Sequence, residues 1–368
     1  MIKIACPIIL LFTSLTFSLN SVAQEIIPQT VTYESYRGTL GTYPIQLHYT
    51  NMAGEISGNY FYEKVGSPIA LAGNIKGEVV ALTAEINKKK ETFTLTASGQ
   101  KLSGTWVMKA TGKSLPVMLT RLMPAQEFSQ YNFSDSLLLF PDKNESPGCH
   151  LTVNTIWPSE TGEQNQFLRY ILLSEFFKDK KFRHETDAVS IYNEYRDNVF
   201  EMYRNDNKDL KPEEAENSFS FNMEQDITID ISYLSPTILS LHRSEYQYSG
   251  GAHGNTMIDY INLDLIQKRR LKLEDIFTKA GLQKLPSLIE DQFRKDNKLQ
   301  PGVSLKKAGL FESKITKPSQ AFYITNKRIG FLYNQYEIAP YAMGAIIVEL
   351  PYSSLTGLLN PSIIKLIQ

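Results

Sequence analysis

The side chains that most often do chemistry are few and scattered in this chain. Its five histidines are His48, His150, His184, His242 and His253. None of them belongs to an HxH or HExxH pair, whereas a metal site needs clustered His, Cys or carboxylate ligands. His242 and His253 could approach each other across a hairpin, with Glu245 beside them. That spacing is too loose to indicate a metal, and we expect no metal and no other cofactor.

The sequence also lacks a recognisable catalytic nucleophile. No Gly-x-Ser-x-Gly segment is present, and Ser249, which precedes two glycines, is more typical of a turn. A glycosidase needs two carboxylates across a cleft, and the 39 acidic residues provide no basis for choosing a pair. We therefore expect a non-enzymatic protein. The alternative is an envelope hydrolase acting on peptidoglycan, which would need a deep pocket with a carboxylate beside His253.

A glycine-rich turn is the first candidate binding element. It reads Ser249-Gly250-Gly251-Ala252-His253-Gly254-Asn255. Glycine enters the left-handed region freely, so this segment either turns sharply or lets another backbone approach closely. We predict that it presents His253 to a ligand, with Ser249, Gly250, Gly251 and Gly254 shaping the surface around it. The alternative is a structural hairpin that only fixes strand register.

A tyrosine-containing segment is the second candidate. Tyr336-Glu337-Ile338-Ala339-Pro340-Tyr341 lies between two strand patterns and therefore predicts a loop. Tyrosine is among the residues that most often anchor interfaces, and a proline limits the entropy that a loop loses on binding. We predict that Tyr336, Pro340 and Tyr341 contact a ligand. The alternative is that both tyrosine rings pack on the domain's own helices.

Two domains must position these loops. Residues 24–125 show short alternating runs, separated by Gly-, Asn- and Lys-rich turns about every 8–12 residues, which indicates an antiparallel all-β domain, a sandwich or a barrel. The segments Glu55–Tyr60 and Lys101–Trp106 resemble each other, each with Ser-Gly before a strand aromatic. Residues 126–148 lose this period and predict a linker.

Residues 149–368 change character. Helical spacing covers 163–177 and 186–203, and long alternating strands follow at 219–233, 238–248 and 257–265. A further helix is expected around 285–295, with Pro286 in its first turn. Because strands and helices occur in separate blocks, the fold class predicted is α+β, with an antiparallel sheet packed by helices.

The N-terminus indicates export. Lys3, the apolar run 8–19 and Ser21-Val22-Ala23 form a signal-peptide pattern over residues 1–23, and the apolar run is too short for a confident membrane span. The mature protein is therefore expected in the periplasm or outside the cell, with no membrane span after cleavage. Cys149 would then be the remaining cysteine, either a buried, inert thiol or an intermolecular bridge.

The charge balance argues against strongly anionic partners. Lys and Arg total 38 against 39 Asp and Glu, a formal net charge of -1. Such a balance does not favour nucleic acid or an anionic membrane surface. We expect a protein or a cell-wall ligand instead.

Three blocks carry a resemblance to a known family. They are the SGGAHGN turn, the following YINLDLIQKRRLKLEDIF and the late block FLYNQYEIAPYAMGAIIVELPYSSL. In this order they resemble the RsiV-like extracellular domain family, a domain pair of unknown function shared by a lysozyme-sensing anti-sigma factor and some peptidoglycan deacetylases. The resemblance covers roughly residues 151–368. It implies a secreted or periplasmic α+β domain whose loops, in the best understood relative, enter a lysozyme cleft.

The chain departs from that family in two respects. A predicted signal peptide and a β domain stand where the anti-sigma factor has a cytoplasmic segment and a membrane span, and the deacetylase activity does not carry over. The resemblance therefore suggests a binding protein with a lysozyme-type muramidase or a peptidoglycan fragment as partner. A third alternative is an envelope scaffold in which the second domain is passive.

Overall fold

The computed structural model describes residues 27–86, 88–143, 145–159, 162–176, 187–215 and 219–367. The predicted signal peptide, residues 1–23, lies outside these ranges, as does His184. No helix within the described ranges combines the length and the apolar character needed to cross a membrane.

An antiparallel β-barrel forms the N-terminal part. Among the described residues, each strand from β1 to β8 pairs with the next, and β8 pairs back with β1 to close the barrel. Alternate side chains fill its interior, including the fully buried Tyr36, Tyr60 and Phe93. The strands are β1 (Gln29–Leu40), β2 (Tyr43–Met52), β3 (Glu55–Tyr62), β4 (Ile69–Lys76), β5 (Val79–Ile86), β6 (Lys89–Ser98), β7 (Lys101–Met108) and β8 (Lys113–Arg121).

The predicted linker over 126–148 is wrong for most of its length, because Gln126–Leu138 forms strand β9. This strand pairs with the first half of β1, over Gln29–Tyr33, and over Phe128–Leu138 with β10 (Gly148–Pro158). Its sequence is mostly polar, so the local pattern is weak, and pairing with neighbours on both sides determines its conformation. The barrel and the next sheet are thus joined by continuous backbone hydrogen bonding.

The second sheet runs in the order β9-β10-β11-β12-β13-β14. Its pairs are antiparallel apart from β10 and β11, which are parallel, so the predicted fully antiparallel sheet needs correction. The cause is the connection between these two strands, whose described part contains three helices and which returns the chain in the same direction. The elements are α1 (Glu163–Phe176), α2 (Ala188–Asp206), α3 (Pro212–Ala215), β11 (Met223–Leu234), β12 (Ile238–Tyr248), β13 (Asn255–Asp264) and β14 (Arg269–Arg270).

One face of this sheet packs against helices α1 and α2, and the other face points away from them. Buried side chains such as Val153, Ile227 and Leu241 form a core with Leu172 of α1 and Ile191 of α2. Because side chains alternate along a strand, the even-numbered residues of β11, up to Asp230, and of β12 point to the opposite face. We call that opposite face the open face.

A small three-stranded sheet and its helices complete the described fold. Leu285, Ile289 and Phe293 of α5 pack with this sheet. Helix α5 begins at Lys279, where the Thr278 hydroxyl accepts a hydrogen bond from the Gly281 amide at 3.1 Å; Pro286 is therefore inside the helix and not in its first turn. The elements are α4 (Leu273–Ile276), α5 (Lys279–Asp296), β15 (Phe322–Ile324), β16 (Arg328–Tyr333), β17 (Ile346–Pro351) and α6 (Pro361–Ile367).

Hydrogen bonds tie the three parts together. The Ser240 hydroxyl donates to the Ile324 carbonyl at 3.0 Å, which fastens the small sheet to the open face of the second sheet. The side-chain nitrogen of Asn326 donates to the side-chain oxygen of Gln46 in the barrel at 2.6 Å. These contacts connect the small sheet to both the second sheet and the barrel.

Candidate functional site

The two predicted loops meet in the structure. The His253 ring stacks on the Tyr341 ring, with 4.5 Å between centroids, and the Tyr336 ring lies 5.6 Å from Tyr341. Tyr336 is 51% exposed and Tyr341 38% exposed. Among the described pairs of aromatic rings, Tyr341 thus contacts both His253 and Tyr336. We call these three residues the aromatic triad.

Close contacts determine the path of the glycine-rich turn. A Cβ atom at Gly250 would lie 2.2 Å from the Ser220 carbonyl oxygen, and the residue has a φ of +84°. A Cβ atom at Gly254 would lie 2.4 Å from the Tyr246 ring. Gly250 therefore requires glycine, because it combines a positive φ with a close backbone neighbour, whereas a side chain at Gly254 would displace the Tyr246 ring. Ser249 and Gly251 lie at the exposed tip, and the Tyr248 hydroxyl donates to the Gly251 carbonyl at 3.1 Å.

His253 presents one ring nitrogen outward. Its Nδ1 lies 2.8 Å from the Gly254 carbonyl oxygen, and because a carbonyl only accepts, Nδ1 carries the proton. In the neutral imidazole, Nε2 is then left as an acceptor on an exposed side chain. The hydrolase alternative predicted a carboxylate beside this residue, but no described carboxylate pairs with it; its contacts are Gly254 and Tyr341.

Asn334 holds the tyrosine-containing loop against the second sheet. Its side-chain oxygen accepts from the Ile258 amide at 2.8 Å, and its side-chain nitrogen donates to the Ile258 carbonyl at 2.9 Å. The Asn334 amide donates to the Glu337 carboxylate at 2.8 Å, which closes the turn around Tyr336. Pro340 is exposed and precedes a helical turn that begins at Tyr341.

Tyr336 has an unusual backbone. Its φ is +64°, in the left-handed region that non-glycine residues seldom occupy. Such strain persists where the surroundings impose it, and it is concentrated at binding and switch sites. Here the Asn334 and Glu337 contacts impose it, and the result is an exposed ring in a fixed position.

A cleft of about 780 Å³ adjoins the aromatic triad. It lies between β13 and the segment 310–321, and its lining includes Ile338 of the tyrosine-containing loop. Phe311 and Met257 add exposed apolar surface, and Lys314 and Lys317 add charge. Exposed aromatic and apolar groups beside polar ones are typical of a protein-binding surface.

The other residues singled out from the sequence lie elsewhere. His242 lies within β12 opposite Tyr260, away from the glycine-rich turn, and Glu245 accepts from Gln225 at 2.6 Å. The suggested approach of His242 to His253 is therefore wrong. Cys149 is confirmed as buried, and burial raises the pKa of its thiol to about 11. The described residues contain no cluster of three or more His, Cys, Asp or Glu able to hold a metal ion.

A second cleft, of about 540 Å³, was not predicted from the sequence. It lies between the barrel and the open face and is lined by His48, Asp230 and His242, among others. Burial raises the pKa of Asp230 to about 6 and lowers the pKa of His242. The alternation of apolar and polar residues in Ile227-Thr228-Ile229-Asp230 indicated a polar sheet face, but its apposition to the barrel depends on long-range packing.

Two family models match separate segments of the chain. The model described as Deacetylase PdaC matches residues 164–256, and the one described as Protein of unknown function (DUF3298) matches residues 274–353. The glycine-rich turn lies at the end of the first segment and the tyrosine-containing loop lies within the second. This arrangement is consistent with a domain pair shared with peptidoglycan deacetylases.

Individual relatives show similarity to the same two families. The peptidoglycan-N-acetylmuramic acid deacetylase PdaC of Bacillus subtilis (strain 168) is 24% identical over 161 residues, which are 43% of this chain and 33% of that protein. The chain thus matches about a third of the length of this curated relative. A crystal structure of a DUF3298 family member from Bacteroides fragilis superposes with a TM-score of 0.60 at 27% identity, covering 66% of this chain and 96% of that one.

A second solved structure, a DUF3298 family protein from Pseudomonas aeruginosa PAO1, has a TM-score of 0.45 at 18% identity and covers 64% of this chain and 95% of that one. From the sequence matches, the chain contains segments related to the deacetylase PdaC and to DUF3298. The fold has a barrel followed by a sheet-rich part with helices.

Proposed function

We propose that this chain is an exported, non-enzymatic binding protein of the bacterial envelope that recognises a protein ligand through the aromatic triad. A lysozyme-type muramidase is the most concrete candidate partner. The observation that carries the proposal is the convergence of His253, Tyr341 and Tyr336 into one exposed stack, built by two loops from separate segments of the chain.

Preorganisation supports this role. Gly250 and Gly254 fit closely against neighbouring groups, and Asn334 fixes the second loop, so little conformational entropy remains to be lost on binding. Tyrosine rings that are already held in place are suited to anchoring an interface, since they add contact area at low entropic cost. The neighbouring 780 Å³ cleft provides a recess for a side chain of the partner.

A peptidoglycan fragment is the second candidate ligand. The similarity to a protein named as a peptidoglycan-N-acetylmuramic acid deacetylase favours it. An exposed aromatic stack could lie against the apolar face of a sugar ring, and the Nε2 acceptor of His253 could take a hydrogen bond from a sugar hydroxyl. The two candidates differ in whether the ligand is the muramidase itself or the material on which a muramidase acts.

The test is calorimetric titration of the chain with a c-type lysozyme and, separately, with soluble peptidoglycan fragments, alongside a cell-wall lysis assay. We expect binding of lysozyme and loss of lysis. Replacing both His253 and Tyr341 by alanine should weaken binding by about 30-fold or more, since loss of a buried aromatic anchor costs about 2 kcal/mol or more.

The control is Tyr43→Ala on the barrel. Tyr43 is 50% exposed, close to the 51% of Tyr336, and its ring contacts Tyr62 instead of the triad. It should leave the affinity unchanged. If the double variant bound every ligand as tightly as the unchanged protein, the assignment to these loops would be wrong; lysis by the chain alone would favour a hydrolase.

A further inference from the structure

The second cleft has the size and position of a small-molecule site. Its volume of about 540 Å³ lies within the range of about 300–1,000 Å³ typical of such sites. One wall comes from β2 and β3 of the barrel, and the other from β11 and β12 on the open face. Clefts between two structural units are common positions for ligands.

His48 contributes a buried ring nitrogen without a partner. The residue is among those that line the cleft although it is only 4% exposed. The Tyr33 hydroxyl lies 3.0 Å from His48 Nδ1 and itself accepts from the Leu234 amide at 3.2 Å. Tyr33 therefore satisfies Nδ1, whichever of the two groups is the donor.

His48 has a second ring nitrogen, Nε2, that remains to be satisfied in either tautomer. Burial lowers the pKa of His48 to about 4, so the imidazole is neutral at physiological pH. Nε2 is buried and has no hydrogen-bond partner in the described part of the chain. Buried polar atoms are normally satisfied, so an unmet one beside a cleft indicates a group that a ligand would complete.

Asp230 and His242 face the same cleft from the second sheet. They are directly opposite each other on adjacent strands. Asp230 is exposed, and the described hydrogen bonds and ion pairs of the chain do not include its carboxylate. The cleft therefore offers a free acceptor on one wall and an unpartnered ring nitrogen on the other.

The charge of the lining restricts the ligand. Glu55 and Asp230 are its carboxylates, and the described lining residues include no Lys or Arg. Such a site repels phosphate and carboxylate groups. Most other polar groups there are neutral hydroxyls and amides, including those of Thr50, Asn59 and Gln130. A ligand that both donates and accepts many hydrogen bonds without negative charge fits this composition.

We propose that the cleft between the barrel and the open face binds a neutral polyhydroxylated ligand of one or two sugar rings, with Asp230 accepting from its hydroxyls and His48 Nε2 hydrogen-bonding to a ring substituent. This site is separate from the aromatic triad, and the proposal does not depend on which partner the triad binds. Nothing in the lining assigns a bond-breaking step, so the role is recognition.

Calorimetric titration of the full chain with cellobiose, N,N′-diacetylchitobiose and glucose 6-phosphate tests the proposal. We expect at least one of the neutral disaccharides to bind with a Kd below about 1 mM, and the anionic sugar phosphate to bind at least tenfold more weakly. Asp230→Asn should weaken disaccharide binding by about tenfold, because it removes a charge-assisted acceptor. The matched control is Asp226→Asn, on the same strand and face but about 13 Å away at about 3.3 Å per residue.

A steric variant has an unusually close control. Ser57→Trp places a ring in the cleft from β3, where Ser57 is exposed. Ser103 is its counterpart on β7, exposed and outside the cleft, in the segment that resembles Glu55–Tyr60. We expect Ser57→Trp to abolish disaccharide binding and Ser103→Trp to leave it unchanged.

Four results would overturn the proposal. They are absence of binding by either neutral disaccharide, equal losses in Ser57→Trp and Ser103→Trp, tighter binding of the sugar phosphate, and loss of disaccharide binding in the triad double variant while Ser57→Trp still binds. Nitrogen-15 NMR of the His48 ring gives an independent check. The His48 Nε2 signal should shift when disaccharide is added; an unchanged signal at saturating disaccharide would contradict the assignment.

Discussion

Asn334→Ala should release the tyrosine-containing loop from the second sheet. At Ile258, strand β13 is paired with β12 on one side, while β14 reaches only Leu263 and Asp264 on the other. The Asn334 side chain therefore takes the place of a neighbouring strand, since it bonds both the Ile258 amide and the Ile258 carbonyl. Alanine removes both bonds and leaves an uncovered edge.

The magnitude follows from these two hydrogen bonds. Each contributes about 0.5–1.5 kcal/mol net, so the pair contributes about 1–3 kcal/mol to the local stability of the loop. If the Ile258 amide exchanges through local opening, its hydrogen exchange should accelerate by about 5- to 140-fold. Binding by the aromatic triad should weaken in parallel, because Tyr336 would lose the support that holds its left-handed backbone.

Hydrogen exchange of the Ile258 amide by NMR, with lysozyme titration of the same sample, is the assay. The control is Asn360→Ala. In the unchanged protein the Asn360 side-chain nitrogen donates to the Glu274, Asp275 and Phe277 carbonyls at the end of α4. That variant should lower global stability without changing Ile258 exchange or lysozyme binding. Unchanged exchange at Ile258 in Asn334→Ala would refute the argument that this side chain closes the edge.

Three further predictions follow from local contacts. Gly250→Ala should destabilise the protein by about 1–3 kcal/mol more than Gly251→Ala in urea denaturation, because both have positive φ but only Gly250 faces backbone at 2.2 Å while Gly251 faces open space. Cys149 should resist thiol reagents until the protein unfolds, since it is buried with a pKa raised to about 11; rapid labelling of the native protein would contradict this. The pKa of His48 is lowered from 6.5 to about 4, so this residue is protonated at a lower pH in the folded protein than in the unfolded chain. Its contribution to stability is therefore lost as pH falls from 6.5 towards 4. The pKa of Asp230 is raised from 3.8 to about 6, so the folded protein binds this proton more tightly than the unfolded chain, and protonation of Asp230 adds stability as pH falls from 6 towards 3.8. Because Asp230→Asn lacks this gain, the variant should lose stability more steeply on acidification than the unchanged protein.

Strong local patterns made much of the fold predictable. Alternation over Met223–Leu234 and Ile238–Tyr248 indicated long strands, and helical spacing in Glu163–Phe176 indicated a helix that the structure contains. The same reasoning failed over Gln126–Leu138, where the strand is specified by its two neighbours instead of by its own residues. It also failed for the orientation of β10 relative to β11, because strand direction depends on the whole connection between them.

The two candidate sites differ in how much the sequence could reveal. Glycines around His253 and tyrosines around Pro340 indicate loops. Because each signal lies within a few consecutive residues, both loops could be identified from the sequence. Their stacking is long-range, since residues 253 and 341 are 88 positions apart in the chain. The cleft with His48 and Asp230 was missed because a search for short motifs does not detect residues that meet across a sheet and a barrel.

The apolar core determines what the open face displays. In β11, Ile227 and Ile229 are completely buried against the helices, and Asp226 and Asp230 point the other way. A register slip of one residue would expose both isoleucines and bury both carboxylates, which costs far more than any gain from new pairing. The composition of the open face, which forms one wall of the second cleft, is therefore fixed by the same alternation that folds the sheet. It follows that substitutions at Asp226 and Asp230 can test binding without disturbing the core.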